Sequence, residues 1–449
     1  MHWLEPVAVQ YQYTRELAIV NIDVLPTEAL TRLEPTGACT RPKSHDRVLA
    51  GLLAGYLLCL PVQFATEAGF RIAPSDGFLI LYYIFGVTRL KFVRPRVWTG
   101  WHAAVLFAFA LSTLTAVLKG EDLDQYVILN KDLGVLVLFA AYAMLTGEAT
   151  SWQKIRGMLR LFVLGVSFMN VVALISYFNL SPWLAETVFR MEYTKRLSGL
   201  LIDPNAYGGL LAVTFAIHTI TYYSAKPLVG GPTGLLISIL LLVGVLYTFS
   251  RSSWISVTCT ILVLSAVRPK VAASMLLTIG IVLSTIIALA DRSSLENIMH
   301  MSARPEQVEG RIDIINSAMP RFLANPIFGI GLGSFGKSYG IIIHNTPVWF
   351  LTEFGLIGFI SVAGFFVSFL IRGLRTYKLV QAEEKPLVLG LIVADIAVLG
   401  LSMGIEAFYQ RHWWLTIALI SAASLQCPSN MNETERLWEM RLGRNSSVN

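Results

Sequence analysis

The sequence predicts an all-α polytopic membrane protein with about 12 transmembrane helices. Three observations predict it. Charged residues make up 14% of the chain and hydrophobic ones 55%, whereas a soluble domain carries about 25% charged residues. Apolar runs of about 20 residues recur from Val48 onward, long enough to cross roughly 30 Å of hydrocarbon. The runs are apolar throughout rather than alternating apolar with polar, which excludes an outer-membrane barrel.

The spans are placed near 48–66, 76–93, 98–118, 126–146, 157–179, 205–223, 233–250, 252–267, 271–290, 346–371, 387–408 and 412–427. Residues 1–47 form a polar N-terminal tail without the short apolar core of a signal peptide, so no cleaved leader is expected. Residues 48–290 hold the first nine helices, 291–345 a long polar loop, 346–427 the last three helices and 428–449 a polar C-terminal tail. Basic residues fix the orientation. Arg89, Lys91, Arg94 and Arg96, then Lys154, Arg156 and Arg160, then Arg268 and Lys270, then Arg372, Arg375, Lys378 and Lys385 fall in alternate connections. The positive-inside rule makes their side cytoplasmic, with both termini inside. Segments 119–125, 180–204 and 291–345 then lie outside. Within the long loop, Glu309 to Leu323 reads as an amphipathic helix with Ile312, Ile315, Met319 and Phe322 on one face, suited to a membrane surface. Asn325-Pro326 ends it.

The formal charge of +6 comes without a polybasic block interleaved with aromatics, so no nucleic-acid partner is expected. Cys39, Cys59, Cys259 and Cys427 are far apart and lack metal-ligand spacing; all four read as unpaired.

The residues that can carry chemistry lie mostly on the outer side. Arg196 precedes Ser198-Gly199 and Asp203-Pro204-Asn205, Arg251 sits in a short turn between two spans, and Arg311 opens the amphipathic helix. A guanidinium binds phosphate bidentately and stays charged at any working pH. Converging arginines suit a lipid-linked diphosphate; as isolated residues they are snorkelling interface anchors. His344 is placed where the long loop re-enters a helix. It reads either as a general base or, with Asn345 ahead of Pro347, as a helix cap. Glu353 lies two turns into the next span, where it either orients a cation or makes a structural ion pair. Glu406, Arg411 and His412 cluster at the last outer turn, as a local ion network or a border of the site. Asp395, mid-span, marks a transport pathway or a hydrogen-bonded helix contact.

Two motif matches are weaker. Gly331-Leu332-Gly333-Ser334-Phe335-Gly336 fits GxGxxG but is not in a βαβ unit; a turn presenting amides to a phosphate is the alternative. Asp122-Leu123-Asp124 fits DxD, but a solvated acidic loop is the commoner explanation.

These residues carry a resemblance. His344-Asn345, nine residues, then Gly355-Leu356-Ile357-Gly358 resembles the hallmark of the O-antigen ligase family. Asn325 to Phe335 resembles the loop signature of the wider ligase/polymerase superfamily. Arg196-Leu197-Ser198-Gly199 and Ser250-Arg251-Ser252 resemble the settings of its two functional arginines. The resemblance covers residues 196–358, and the His-centred spacing favours ligase over polymerase. It implies a GT-C-like membrane fold in the bacterial inner membrane and a metal-independent, inverting glycosyltransferase without cofactor. The implied donor is O-antigen on undecaprenyl diphosphate and the implied acceptor is the lipid A–core oligosaccharide. The implied site faces the periplasm, with His344 as base and Arg196 and Arg251 on the diphosphate.

Overall fold

The computed structural model describes residues 44–65, 71–87, 97–120, 131–181, 183, 196–201, 203–289, 296, 299 and 305–427. Both tails, the basic connection 88–96, Cys39 and the Asp122–Asp124 match lie outside the described residues. Contacts divide the chain into Met1–Asp46 and Arg47–Asn449, and the second unit contains the site.

The described residues are helical apart from a two-residue antiparallel pairing of Phe64–Ala65 with Arg71–Ile72. The helices are α1 (Ser44–Leu58), α2 (Pro74–Val87), α3 (Gly100–Leu118), α4 (Leu133–Glu148), α5 (Trp152–Tyr177), α6 (Pro204–Tyr222) and α7 (Gly231–Tyr247). They continue as α8 (Arg251–Val267), α9 (Pro269–Leu289), α10 (Pro305–Ala324), α11 (Ser334–Tyr339), α12 (Thr346–Leu379), α13 (Lys385–Ser402) and α14 (Arg411–Ser424). A helix falls at each apolar run expected from the sequence. Five of them, α3, α5, α9, α12 and α13, are long and apolar enough to cross a membrane. That is the pattern of a multi-pass membrane protein, in which each span satisfies its own backbone hydrogen bonds.

Buried α13 sits between α6 and α8, while α12 packs on α3, α13 and α14. Opposite ends of the bundle carry different chemistry. At one end Arg156 pairs with Glu384 (2.7 Å), Lys226 pairs with Glu383, and Arg160 donates to the Leu228 carbonyl (2.7 Å). The other end holds the α3 C-terminus, the starts of α4, α6, α8, α12 and α14, and the described candidate residues other than mid-helix Asp395. There Phe109, Trp349, Phe350, Phe354 and Phe408 form a ring cluster with centroids 4.5–6.5 Å apart.

α12 is broken near its start. Thr346–Trp349 is α-helical, Phe350–Phe354 widens into a π-turn, and Gly355 takes φ +67° before the helix resumes. The glycine-rich loop fills the break. Ile330 and Gly331 amides donate to the Thr352 and Glu353 carbonyls (2.9 and 3.0 Å), and the Leu356 amide donates back to Pro326 (2.8 Å). Ser112 of α3 completes the junction by donating to the Glu353 carbonyl (2.9 Å). Glycine is required here: Gly329, Gly331 and Gly333 all have positive φ, and a Cβ on Gly331 would lie 2.6 Å from the Ala116 nitrogen.

Two expectations are corrected and one is met. The GxGxxG amides do not form an open cradle, because those of Gly331, Leu332 and Gly333 bond to Glu353 and Ser112 within the protein. The apolar face of α10 holds in part: Ile315, Met319 and Phe322 are half-buried, but Ile312 is 50% exposed, and the inward side also carries Ala318, Ile314 and half-buried Arg311. That face lies against the start of α12. Cys59, Cys259 and Cys427 are free, as expected.

Candidate active site

The tight turn between α7 and α8 organises the arginines. Phe249 takes φ +47°, a left-handed conformation that costs a bulky residue roughly 1–3 kcal/mol. Ser250 then caps α8 by accepting from the Ser253 amide (3.4 Å), so Arg251 becomes the first residue of the helix. Gly208 of α6 lets this turn approach closely, since a Cβ there would lie 2.8 Å from the Thr248 hydroxyl. The turn also receives Arg196. Its Nε donates to the Thr248 carbonyl (2.8 Å), and the neighbouring Leu197 amide donates to Tyr247 (2.9 Å).

Arg196 is 6% exposed and its Nη2 donates to Asn205 Oδ1 (2.7 Å). Asn205 in turn donates from its amide and side chain to Asp203 Oδ1 (2.8 and 3.0 Å). Asp203 is also the N-cap of α6. On its other side it attracts Arg311, which also feels the positive charge of Arg251. Burial, reinforced by Arg251 and opposed by Asp203, pulls the Arg311 guanidinium below its ordinary value. Arg196, Asn205, Asp203, Arg311 and Arg251 therefore form one cluster. Among the described residues it brings three arginines together with the Asp203 carboxylate, beside the amino ends of α6 and α8, where dipoles favour an anion.

His344 approaches the cluster through the segment after α13. Asn345 donates to the Met403 carbonyl (3.2 Å) and Thr346 to the Ile405 carbonyl (2.6 Å). Gly404, between these acceptors, faces the arginines: a Cβ there would lie 2.7 Å from Ser252 Cβ and 3.4 Å from Arg311 Nη1. One residue thus separates the strand carrying His344 from the pocket carrying Arg311. The cap role belongs to Asn345, whose side chain accepts from the Val348 amide (3.0 Å). The His344 side chain is exposed, and among the described residues none hydrogen-bonds its ring.

The secondary candidates divide. Asn345 and Arg311 join the site. The Glu353 carboxylate accepts from Trp349 Nε1 (2.7 Å) and the Gly333 amide (3.0 Å), pinning the glycine loop to α12. Glu406, Arg411 and His412 do not form one network. Glu406 pairs with Lys131, which lies 4.8 Å from the ring centroids of both Trp349 and Tyr409. Arg411 forms a fork on Asp76 (2.9 and 2.5 Å). His412 is buried. Asp395 is a helix contact: its Oδ1 accepts from Trp413 Nε1 (2.8 Å). Among the described residues no His/Cys/Asp/Glu group is arranged to hold a metal.

Reasoning from the sequence left Asp203 and Asn205 without roles, although Asp203-Pro204 is a recognisable helix start. Thr248, Gly404 and Lys131 gave no signal, since each acts through a contact distant in sequence.

A comparison with known families concerns the part of this site that includes Arg251, Arg311 and His344. Residues 236–363 match the O-antigen ligase family. The matched segment also contains Asn345, Glu353, Gly355 and Gly358, while Arg196, Arg411 and His412 lie outside it. None of the curated proteins compared matches the chain. Members of the O-antigen ligase family are membrane glycosyltransferase-like enzymes acting on polyprenyl-linked glycans.

Proposed function

We propose that this chain is an O-antigen ligase that moves O-antigen polysaccharide from undecaprenyl diphosphate to lipid A–core at the periplasmic face of the inner membrane. The observation that carries the reading is Gly404, which meets Arg311 and Ser252, the neighbour of Arg251, while the segment after His344 bonds to the residues on either side of it. Twelve spans, a GT-C-like arrangement and cytoplasmic termini belong to the same proposal. The separation of the Arg156 and Lys226 ion pairs from the arginine cluster supports that alternation.

The acceptor hydroxyl attacks the anomeric carbon as the bond from that carbon to the diphosphate oxygen breaks. The hydroxyl proton passes to the His344 imidazole, and undecaprenyl diphosphate leaves with the bonding pair, inverting the centre. The leaving group is a weak base, so it needs positive charge rather than a proton. Arg251 and Arg311 supply that charge, while Arg196, held by Thr248 and Asn205, closes one wall. Fixed donors in a site shielded from water stabilise such charge far more than solvent-exposed ones. The diphosphate bond is already activated, so the step needs neither ATP nor a metal.

Purified protein in lipid, given undecaprenyl-diphosphate glycan and lipid A–core without metal or ATP, should make glycosylated lipid A–core. Elongated lipid-linked glycan instead would identify a polymerase, and loss of activity in EDTA would favour a metal-dependent transfer using Asp122 and Asp124. A Ser338→Cys variant, exposed beside the glycine loop, should label from the periplasm; strictly cytoplasmic labelling would overturn the orientation.

A further inference from the structure

The turn that follows α13, residues 403–409, is gripped from two sides. Glu406 has φ −73° and ψ 80°, the inverse γ-turn conformation, and the Ala407 amide bonds back to the Ile405 carbonyl (3.0 Å). Thr346 closes the open side of this turn. Its hydroxyl is 8% exposed; it donates to the Ile405 carbonyl (2.6 Å) and accepts from the Ala407 amide (2.8 Å). One buried hydroxyl thus bonds both ends of a three-residue turn, and a fully satisfied buried network of this kind rigidifies the backbone it holds.

Lys131 holds the apex. Its ammonium pairs with Glu406 and lies 4.8 Å from the ring centroids of Tyr409 and of Trp349, which belongs to the first turn of α12. The Tyr409 hydroxyl donates to the Lys131 carbonyl (3.2 Å), and the Trp349 indole is fixed by its bond to Glu353 (2.7 Å). Lys131 is 7% exposed, so its charge is engaged by Glu406 and two aromatic faces rather than held out to a substrate. Withdrawing an ion pair from water carries a desolvation cost that an apolar pair avoids. What this pair contributes is register between the turn and the start of α12.

Register matters because of what the turn joins. A Cβ on its Gly404 would lie 2.7 Å from Ser252 Cβ and 3.4 Å from Arg311 Nη1. Its Met403 and Ile405 carbonyls accept from Asn345 and Thr346, the two residues after His344. The turn is therefore backbone lying between the histidine and the arginine cluster, and a misplacement of about 1 Å in a reacting group can cost on the order of a hundredfold in rate.

We propose that Thr346 and Lys131 are positioning residues, which together fix the 403–409 turn as the spacer that sets His344 against the arginine cluster. The inference rests on the proposed function for the roles of His344 and the arginines. It adds two residues that act through that turn without touching the reacting atoms.

The test uses the whole protein in lipid, with undecaprenyl diphosphate as the binding probe. Thr346→Val keeps the side-chain shape and loses both hydrogen bonds. It should lower kcat roughly ten- to a hundredfold, while KM for the lipid-linked donor and the number of probe sites per protein stay at wild-type values. Thr346→Ser should restore most of the rate. Lys131→Met combined with Glu406→Gln removes the ion pair without leaving either charge unpaired and should show the same split. A purely structural role would lower kcat and the number of probe sites in the same proportion; that result overturns the inference, as does full turnover by Thr346→Val. Carbethoxylation of His344 by diethylpyrocarbonate, read by mass spectrometry, needs no turnover. Undecaprenyl diphosphate should slow it in the wild type and not in Thr346→Val, and equal protection in both, or none in the wild type, overturns the inference. If the wild type is protected and Thr346→Val is not, yet the wild type makes no glycosylated lipid A–core, the proposed reaction fails and the positioning role stands.

Discussion

Gly329 and Gly355 face each other backbone to backbone. A Cβ on Gly329 would lie 2.6 Å from the Gly355 nitrogen, and a Cβ on Gly355 would lie 2.6 Å from the Gly329 nitrogen. Both residues have positive φ, +71° and +67°. The glycine after the nine-residue spacer is thus required by the packing of a loop into a broken helix.

Gly355→Ala should destabilise the protein by at least about 1–2 kcal/mol from backbone handedness alone, with the clash adding to it. The check is thermal unfolding in detergent. Gly340→Ala, whose Cβ would meet nothing within 4 Å, should suffer only the conformational part. Equal loss at both positions would count against a packing role for Gly355.

His344→Ala should abolish transfer while changing stability by less than about 0.5 kcal/mol, because the side chain is exposed. Asn345→Ala should do the converse in part, losing about 1 kcal/mol with its cap. Near-normal turnover of His344→Ala would remove the base assignment.

Arg251→Lys and Arg311→Lys should each lower kcat/KM by roughly ten- to a hundredfold despite retained charge, because the planar fork is lost. Arg196→Lys should also lower stability, as it gives up fixed bonds to Thr248 and Asn205. Full activity of Arg251→Lys would argue against bidentate phosphate contact.

Glu353→Ala should cost stability without a specific effect on chemistry. It leaves Trp349 Nε1 and the Gly333 amide without their acceptor, at about 1–3 kcal/mol for each buried donor. Glu353→Gln keeps an acceptor oxygen and should recover part of the loss, as read by unfolding temperature and residual turnover together.

The apolar runs made the helices legible because hydrocarbon length and hydropathy are local properties of a chain. The candidate residues at the loop–helix boundary were legible for the same reason: Arg251 and His344 lie at helix starts marked by Ser250 and Pro347. What brings them together was hidden. The Asn205 link to Arg196 spans nine positions, the Arg196 bond to the Phe249 turn 52, and the approach of Gly404 to Arg311 is longer still. The glycine run misled because its spacing matches a phosphate loop, whereas its amides bond to Glu353 and Ser112. Arg311 was read only as the residue that opens the helix, although it lies one turn from Ile315 on the half-buried side.

The interlocking of residues 326–331 with 352–356 has a consequence for recombining such proteins. The α10 arginine and the α12 histidine belong to two stretches that share one set of backbone hydrogen bonds. A chimaera that imports the loop from one parent and the helix from another would have to match both halves of that seam. Crossover points before Pro305 or after Leu379 keep the pair intact, whereas one placed between Gly336 and Thr346 splits it. The exchangeable unit runs from the start of α10 to the end of α12.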